Sequence, residues 1–334
     1  MDNLLEMIKK ADAGDPEAQY EVAWYIVFED LKEEIDSDWA ERAIEYFEMA
    51  AAQGHIDAMI NLGYIYIAGR GVELDKKKSA HWYRLAADSG SPLGYRGLVY
   101  TIIDEKMPPE YFDPHDEKID YKTIFEYALK GALLNEQNCL YIIGDMYLSG
   151  KYVKEDENIA VNLYNKAFDN IEYKDDDCYA DLALRLGECW YKGIGGMRGL
   201  ENAKELLQEA VYGYEIRRER GDPVEYFDKG YKRSLCLLNE LESGKVYKSK
   251  PRVLNDDFSS DKLYEIGIDY FLNSDWEQCF KYFAKSALKG GPGSVKSKGQ
   301  LMWMFEKDAD VYVERDEKFA EQLREEINWI VEQK

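Results

Sequence analysis

The sequence predicts an all-α protein: a right-handed α–α superhelix, or solenoid, built from helix-turn-helix repeats. Three observations predict it. Apolar residues recur at spacings of three and four, the period of one helix face. The same order of small and large residues returns along the chain, as at Gly54 and Gly90, 36 residues apart. Glycine and aspartate stand at matching points between the apolar stretches, where helices stop and start.

The stretch INLGYIYIAGRGVELDKKKSAHWYRLAADSG, residues 60–90, serves as the template. Its first helix carries Ala58, Leu62, Gly63 and Tyr66, and its second carries Ala80, Trp82, Tyr83, Ala86 and Ala87. The small residues let two helices approach, and the large ones fill the space between them. Asp75 is the expected N-cap of the second helix, and Gly90 its stop. Gly69 and Gly71 fall between the helices, where positive φ is expected.

The pattern repeats in order. Ala18, Val22, Ala23 and Ile26 precede Ala43, Tyr46, Phe47, Ala50, Ala51 and Gly54. A degenerate copy holds Gly97 and Tyr100, with its second helix expected over 121–132. Cys139, Ile143, Gly144, Tyr147 and Gly150 precede Asp156, Ala160, Leu163, Tyr164 and Ala167. Leu182, Leu186, Gly187, Trp190 and Gly193 precede Ala203, Leu206, Leu207 and Ala210. Ile266, Gly267 and Tyr270 precede Asp275, Cys279, Tyr282, Phe283, Ala287 and Gly290. About seven helix pairs are expected, some degenerate. A pair of roughly 34 residues is the tetratricopeptide-like length.

Gly69-Arg70-Gly71 followed by Lys76, Lys77 and Lys78 raises a second possibility, a phosphate-cradling loop. A P-loop needs G-x-x-x-x-G-K-[ST] after a strand, and the chain contains no such string. The glycines also recur at Gly150 and Gly193 without a lysine run. The element is therefore read as a repeat turn, and the lysines as a solvated face.

These residues resemble the Sel-one-like repeat family, a relative of tetratricopeptide repeats. The resemblance runs from about Asp12 to Gly290, with weak stretches at 98–121 and 215–260. It implies an α-solenoid that acts as an adaptor holding other proteins, without bond chemistry. Some secreted relatives join the two helices of each repeat by a disulfide. Here Cys139 and Cys189 lie on first helices and Cys279 on a second, with no partner in the same repeat, so properties tied to those relatives do not carry over.

The chain has 334 residues, with 43 Lys and Arg against 66 Asp and Glu, a net charge of −23. Such a charge repels nucleic acid and anionic lipid, so neither is expected as a partner. A hydrophobic share of 46% supplies ample core material. The first residues carry no long apolar run, so neither a signal peptide nor a transmembrane helix is visible. Five scattered cysteines without a C-x-x-C pair read as buried free thiols, which points to the cytoplasm.

The repeat array is expected over 1–244 and a polar joint or ordered inter-repeat loop over 245–261. One or more further repeats and a charged capping helix are expected over 262–334. The tail carries Val313, Phe319, Leu323, Ile327 and Ile330 at helical spacing. End repeats need a polar outer face.

In tetratricopeptide geometry the concave side is lined by residues three before and one after the packing glycine. Transferring only that geometry selects Tyr20 and Trp24, Ile60 and Tyr64, Tyr141 and Asp145, Leu184 and Glu188, and Tyr264 and Ile268. The weak third repeat offers Gly94 and Leu98. The expectation is a tyrosine-rich groove with two acids, taking a protein or extended peptide that is neutral or basic. Two readings stand for the aromatics: partner contact, or packing against the next repeat.

No cofactor, metal site or catalytic residue is expected. His55, His81 and His115 are far apart, and S-x-x-K at Ser259 and at Ser286 lacks the companion motifs of a serine enzyme. An enzyme of unknown reaction and a regulatory subunit of a fixed complex remain as alternatives to the scaffold. In 289–299, Ser294 is a candidate helix cap beside Lys289, Lys296 and Lys298, and that helix N-terminus a candidate anion site.

Overall fold

A computed structural model describes residues 2–29, 37–103, 120–174, 176–197, 199–222, 224, 227–244, 258–272, 276–306 and 316–332. Among these residues the regular structure is helical throughout. The chain divides into two compact units, Met1–Glu105 and Lys106–Lys334. That division falls earlier than the joint expected at 245–261, most of which lies outside the described residues.

The first unit contains α1 (Asp2–Asp12), α2 (Pro16–Trp24), α3 (Ser37–Ala52), α4 (Ile56–Ala68), α5 (Lys76–Asp88) and α6 (Pro92–Ile102). Each helix packs on the next, as repeat helices do. The caps follow the sequence. Asp15 accepts from the Ala18 N–H, and Asp75 from the N–H groups of Lys77 and Lys78. Gly69 ends α4 at φ 62°, a left-handed conformation that costs glycine little. Gly63 is set by packing instead: a Cβ there would lie 2.6 Å from the Tyr83 ring. Ala18, Val22, Phe47, Leu62 and Ile65 form the buried centre.

The second unit begins with α7 (Tyr121–Leu133), the second helix expected of the degenerate copy. Two repeats follow: α8 (Gln137–Ser149) with α9 (Glu157–Asp169), then α10 (Tyr179–Lys192) with α11 (Leu200–Arg220). α12 (Asp228–Glu242) packs on α11 and α10. The remaining helices are α13 (Ser260–Leu272), α14 (Trp276–Lys289), α15 (Pro292–Glu306) and α16 (Glu317–Glu332).

One backbone hydrogen bond defines the repeat turn. The Asp75 N–H donates to the Tyr66 carbonyl at 2.9 Å, and Asp156 to Tyr147 at 2.8 Å. Asp316 donates to Phe305 at 2.9 Å in a related bond that spans eleven positions of the chain rather than nine. α15 and α16 are therefore a further helix pair, with α16 in the charged tail. Phe319 and Leu323 are buried as the helical spacing requires, while Val313 lies outside the described residues.

The C-terminal helices do not simply extend the row. α14 packs on α7 and α9, more than a hundred residues earlier in the chain. The Phe280 ring meets Phe125 edge-on at 6.3 Å, and Lys285 pairs with Asp156, the N-cap of α9. Lys130 of α7 pairs with Asp316 in turn.

Two smaller expectations change. Ser294 sits inside α15 and donates to the Ala287 carbonyl at 2.9 Å, so it does not cap that helix. Lys296 approaches Asp261, and Lys298 pairs with Glu326, so these lysines are spent on neighbouring helices rather than on an anion. Of the cysteines, Cys139, Cys178, Cys189 and Cys279 are buried free thiols, and Cys236 is exposed.

Candidate partner-binding site

The first helix of each repeat carries the residues selected from the sequence, and the two units place them differently. In the first unit, Tyr20 on α2 stacks on His55 at 4.4 Å and tilts against Phe47 at 5.9 Å. Burial, then the charge of Asp57, raises its pKa. Ile60 packs against the unit's core. Trp24 stays 38% exposed at the end of α2, where the chain enters a π-helical turn, Tyr25–Glu29. Such turns often redirect side chains at functional surfaces.

That turn presents Phe28. Its ring lies 5.8 Å from Trp24 and 6.1 Å from Tyr64, so the three form an aromatic row from α2 to α4. The Arg70 guanidinium covers Phe28 at 5.1 Å. Phe28 was not among the selected residues, because the transferred geometry takes only the positions three before and one after the packing residue, and Phe28 stands one helical turn beyond Trp24. The apolar run Tyr25 to Phe28 was the available signal.

In the second unit the structure brings Asp145, Leu184 and Glu188 to one recess of about 360 Å³. Leu148, Ile194, Arg185, Lys192 and Arg233 complete its main walls, drawn from α8, α10, α12 and the turn after α10. Tyr141 lies inside the fold at 1% exposure, its hydroxyl donating to Asn138 at 2.9 Å. The Arg185 guanidinium lies 4.4 Å above the Tyr141 ring. Leu184 is largely buried as well. Of the weak third repeat, Gly94 and Leu98 are buried too. Charged side chains therefore dominate the recess of the second unit, with Tyr164 also in its lining.

Both acids are matched by cations. Arg185 donates through Nε and Nη2 to Asp145 at 2.6–3.1 Å, and Tyr164 donates its hydroxyl at 2.6 Å. Burial, then Asp145, raises the Tyr164 pKa well above its ordinary value. Glu188 takes Arg233 on one oxygen at 2.5 Å and Lys192 on the other at 2.9 Å. Burial works to raise the Glu188 pKa, but the two cations outweigh it and hold the carboxyl below its usual range. Cys189 also lines the recess, and burial pushes its thiol up to about 12, so it is protonated at neutral pH.

Tyr264 and Ile268 stand on α13, outside that recess. Tyr264 tilts against Phe283 at 5.8 Å, with Lys296 5.6 Å from its ring.

The geometry thus offers surfaces and ion pairs carried by a repeated helix pair, and the repeats match known proteins. The Sel1 repeat matches residues 16–55, 56–91, 138–170, 180–212 and 262–291, just over half of the chain. The chain belongs to the Sel1 repeat family. Sel1 repeats typically mediate protein–protein interactions and are generally non-enzymatic scaffolds. A relative in Mus musculus, DAP3-binding cell death enhancer 1, is 28% identical over 219 residues, covering 60% of this chain. The chain spans about two fifths of that relative, 39% of its length.

Among solved structures, a Sel1 repeat protein from Oxalobacter formigenes superposes with a TM-score of 0.50 at 21% identity. It covers 75% of this chain and 92% of its own. A protective antigen of uropathogenic Escherichia coli with an SLR fold aligns at a TM-score of 0.42 and 19% identity, over 97% of this chain and 79% of its own. Among the described residues of this Sel1 repeat chain, no helix is long and apolar enough to cross a membrane.

Proposed function

We propose that this Sel1 repeat chain is a non-enzymatic adaptor that holds a protein or extended peptide along the concave, first-helix face. The observation that carries the reading is the Trp24–Phe28–Tyr64 row. A partly exposed tryptophan joins two further rings while the core beneath is filled by other residues. Aromatic rings supply large contact area with few rotors to freeze, the composition of binding hot spots. The partner is neutral or basic overall, because the chain carries a net charge of −23. The mouse relative, named for binding DAP3, supports protein binding as the activity. A cytoplasmic setting belongs to the same reading, supported by the five free cysteines.

The test is affinity capture from source-cell lysate by the wild type and by Trp24→Ala/Tyr64→Ala, followed by mass spectrometry. Both rings are partly solvated, so their loss leaves the core intact. Tyr141→Ala is unsuitable as a third change, because that ring is buried beneath Arg185. A protein captured by the wild type and lost by the variant supports the reading. Equal capture by both sinks it.

A further inference from the structure

The recess between α8, α10 and α12 holds cationic donors that its three ion pairs do not use. Three cations, Arg185, Lys192 and Arg233, face two acids, Asp145 and Glu188. Arg185 is committed: Nε and Nη2 go to Asp145, and Nη1 donates to the Asp181 carbonyl at 3.1 Å. Arg233 is not. Among the described residues its hydrogen bonding is confined to Nε, which goes to Glu188, leaving the Nη1 and Nη2 donors uncommitted. Lys192 likewise gives one of its three donors to Glu188. Glu240 is close enough for Arg233 to feel its charge, but it accepts from Tyr191 at 3.2 Å.

We propose that this recess is an anion subsite that takes one carboxylate, an Asp or Glu side chain of the bound partner, between Arg233 and Lys192. The inference rests on the partner-binding reading and narrows it. A guanidinium presents its paired N–H groups in a planar fork that matches a carboxylate. Leu148, Leu184 and Ile194 supply an apolar wall for the methylenes of the incoming side chain. Arg233 remains 37% exposed, so an incoming group reaches it from solvent.

The chain's overall negative charge limits the ligand further. Strongly acidic segments are repelled at long range, whereas a single carboxylate, alone or inside a neutral or basic segment, is screened beyond about 8 Å at physiological salt. The subsite therefore sets where along the groove such a segment sits, a specificity role more than an affinity one.

The experiment uses the full chain with ¹⁵N-labelled arginine, reading side-chain Nε–Hε signals by NMR. Three probes are titrated: N-acetylglutamate methylamide, its glutamine counterpart, and inorganic phosphate. The expected result is a saturable shift of the Arg233 signal with the glutamate probe and none with the glutamine probe. Arg233→Lys, read at the Arg185 signal, should keep a weakened response, and Arg233→Gln should lose it. Lys192→Gln gives the same reading if Arg233→Gln lowers the melting temperature.

A flat response to the glutamate probe, or an equal one to the glutamine probe, overturns the subsite. Saturation by phosphate at lower concentration than the glutamate probe also overturns it, in favour of a phosphoryl group. None of these results touches the capture by Trp24 and Tyr64. Loss of that capture's dependence on the aromatic row would instead remove the partner-binding reading itself.

Discussion

Lys130 of α7 and Asp316 at the start of α16 stand 186 residues apart in sequence and 2.5 Å apart in space. The lysine is 2% exposed. Its ammonium lies 4.8 Å from the Phe305 ring and 5.4 Å from Phe319. Asp316 also accepts from the Phe319 N–H at 3.0 Å, so one carboxylate both caps α16 and receives Lys130. Removing one member of a buried pair leaves the other charge desolvated without this partner. Lys130→Ala should therefore destabilise the second unit by about 3–5 kcal/mol. Urea unfolding of Lys130→Ala, Asp316→Ala and the double variant should show clear non-additivity. Additive losses would mean that the two side chains act independently.

Two glycines should respond to alanine with opposite signs. At Gly63 the added Cβ would sit 2.6 Å from the Tyr83 ring, whose face is fixed within the core. Gly63→Ala should cost about 1–3 kcal/mol. Gly299 lies within α15 with nothing within 4 Å of an added Cβ. Gly299→Ala should gain about 0.5–1 kcal/mol through backbone entropy and helix propensity. Thermal melts of the two variants check the pair.

Acid should weaken the second unit, at Glu188 in the recess and at Glu209 on α11 outside it. Burial would raise Glu188, but Lys192 and Arg233 hold it below its usual value of 4.5, and hydrogen bonds from Lys174 and then Tyr179 lower Glu209. Each carboxyl is a stronger acid folded than unfolded. Its contribution is therefore complete above about pH 4.5 and is lost as the pH falls through the depressed folded value. Glu188→Gln should be less stable than wild type at pH 7, and that deficit should shrink toward pH 3. Urea midpoints across pH 3–7 decide it. An unchanging deficit would show that ion pairing at Glu188 adds nothing.

Thiol chemistry should single out one residue. Cys236 is exposed, and the other four cysteines are buried. Brief iodoacetamide treatment of the native chain should modify Cys236 first, with the remaining four reacting only in denaturant. Peptide mass spectrometry reads the order directly. Early modification of Cys139 or Cys279 would mean that their helices open far more readily than their packing implies.

Much of this architecture was legible because each repeat signals locally. Asp75 and Asp156 act as N-caps, and Gly69, Gly150 and Gly193 adopt positive φ, for reasons contained in a few neighbouring residues. The final pair, α15 with α16, escaped because Ser297 and Met302 stand where the template has alanine and glycine. Only the bond from Asp316 to Phe305 reveals its kinship.

The candidate site was legible in part. Asp145 and Glu188 do reach one recess, but their cations come from Arg185, Lys192 and Arg233, and α12 carries no recognisable repeat to place Arg233. Tyr141 was selected by register alone, which cannot tell a lining position from one covered by an arginine of the next repeat.

The return of α14 to α7 and α9 changes how this part of the chain can come apart. A linear array whose members touch only their neighbours can unzip from either end, one unit at a time. Here the last helices are fastened to the first helices of their own unit through Lys285 with Asp156 and Lys130 with Asp316. Fraying from the C-terminus must break these distant contacts before it can proceed, so end-wise loss gives way to all-or-none opening. Assembly bears the complementary burden. The segment between α7 and α14 must be closed as one long loop before the fasteners form, which slows folding while adding resistance to unfolding.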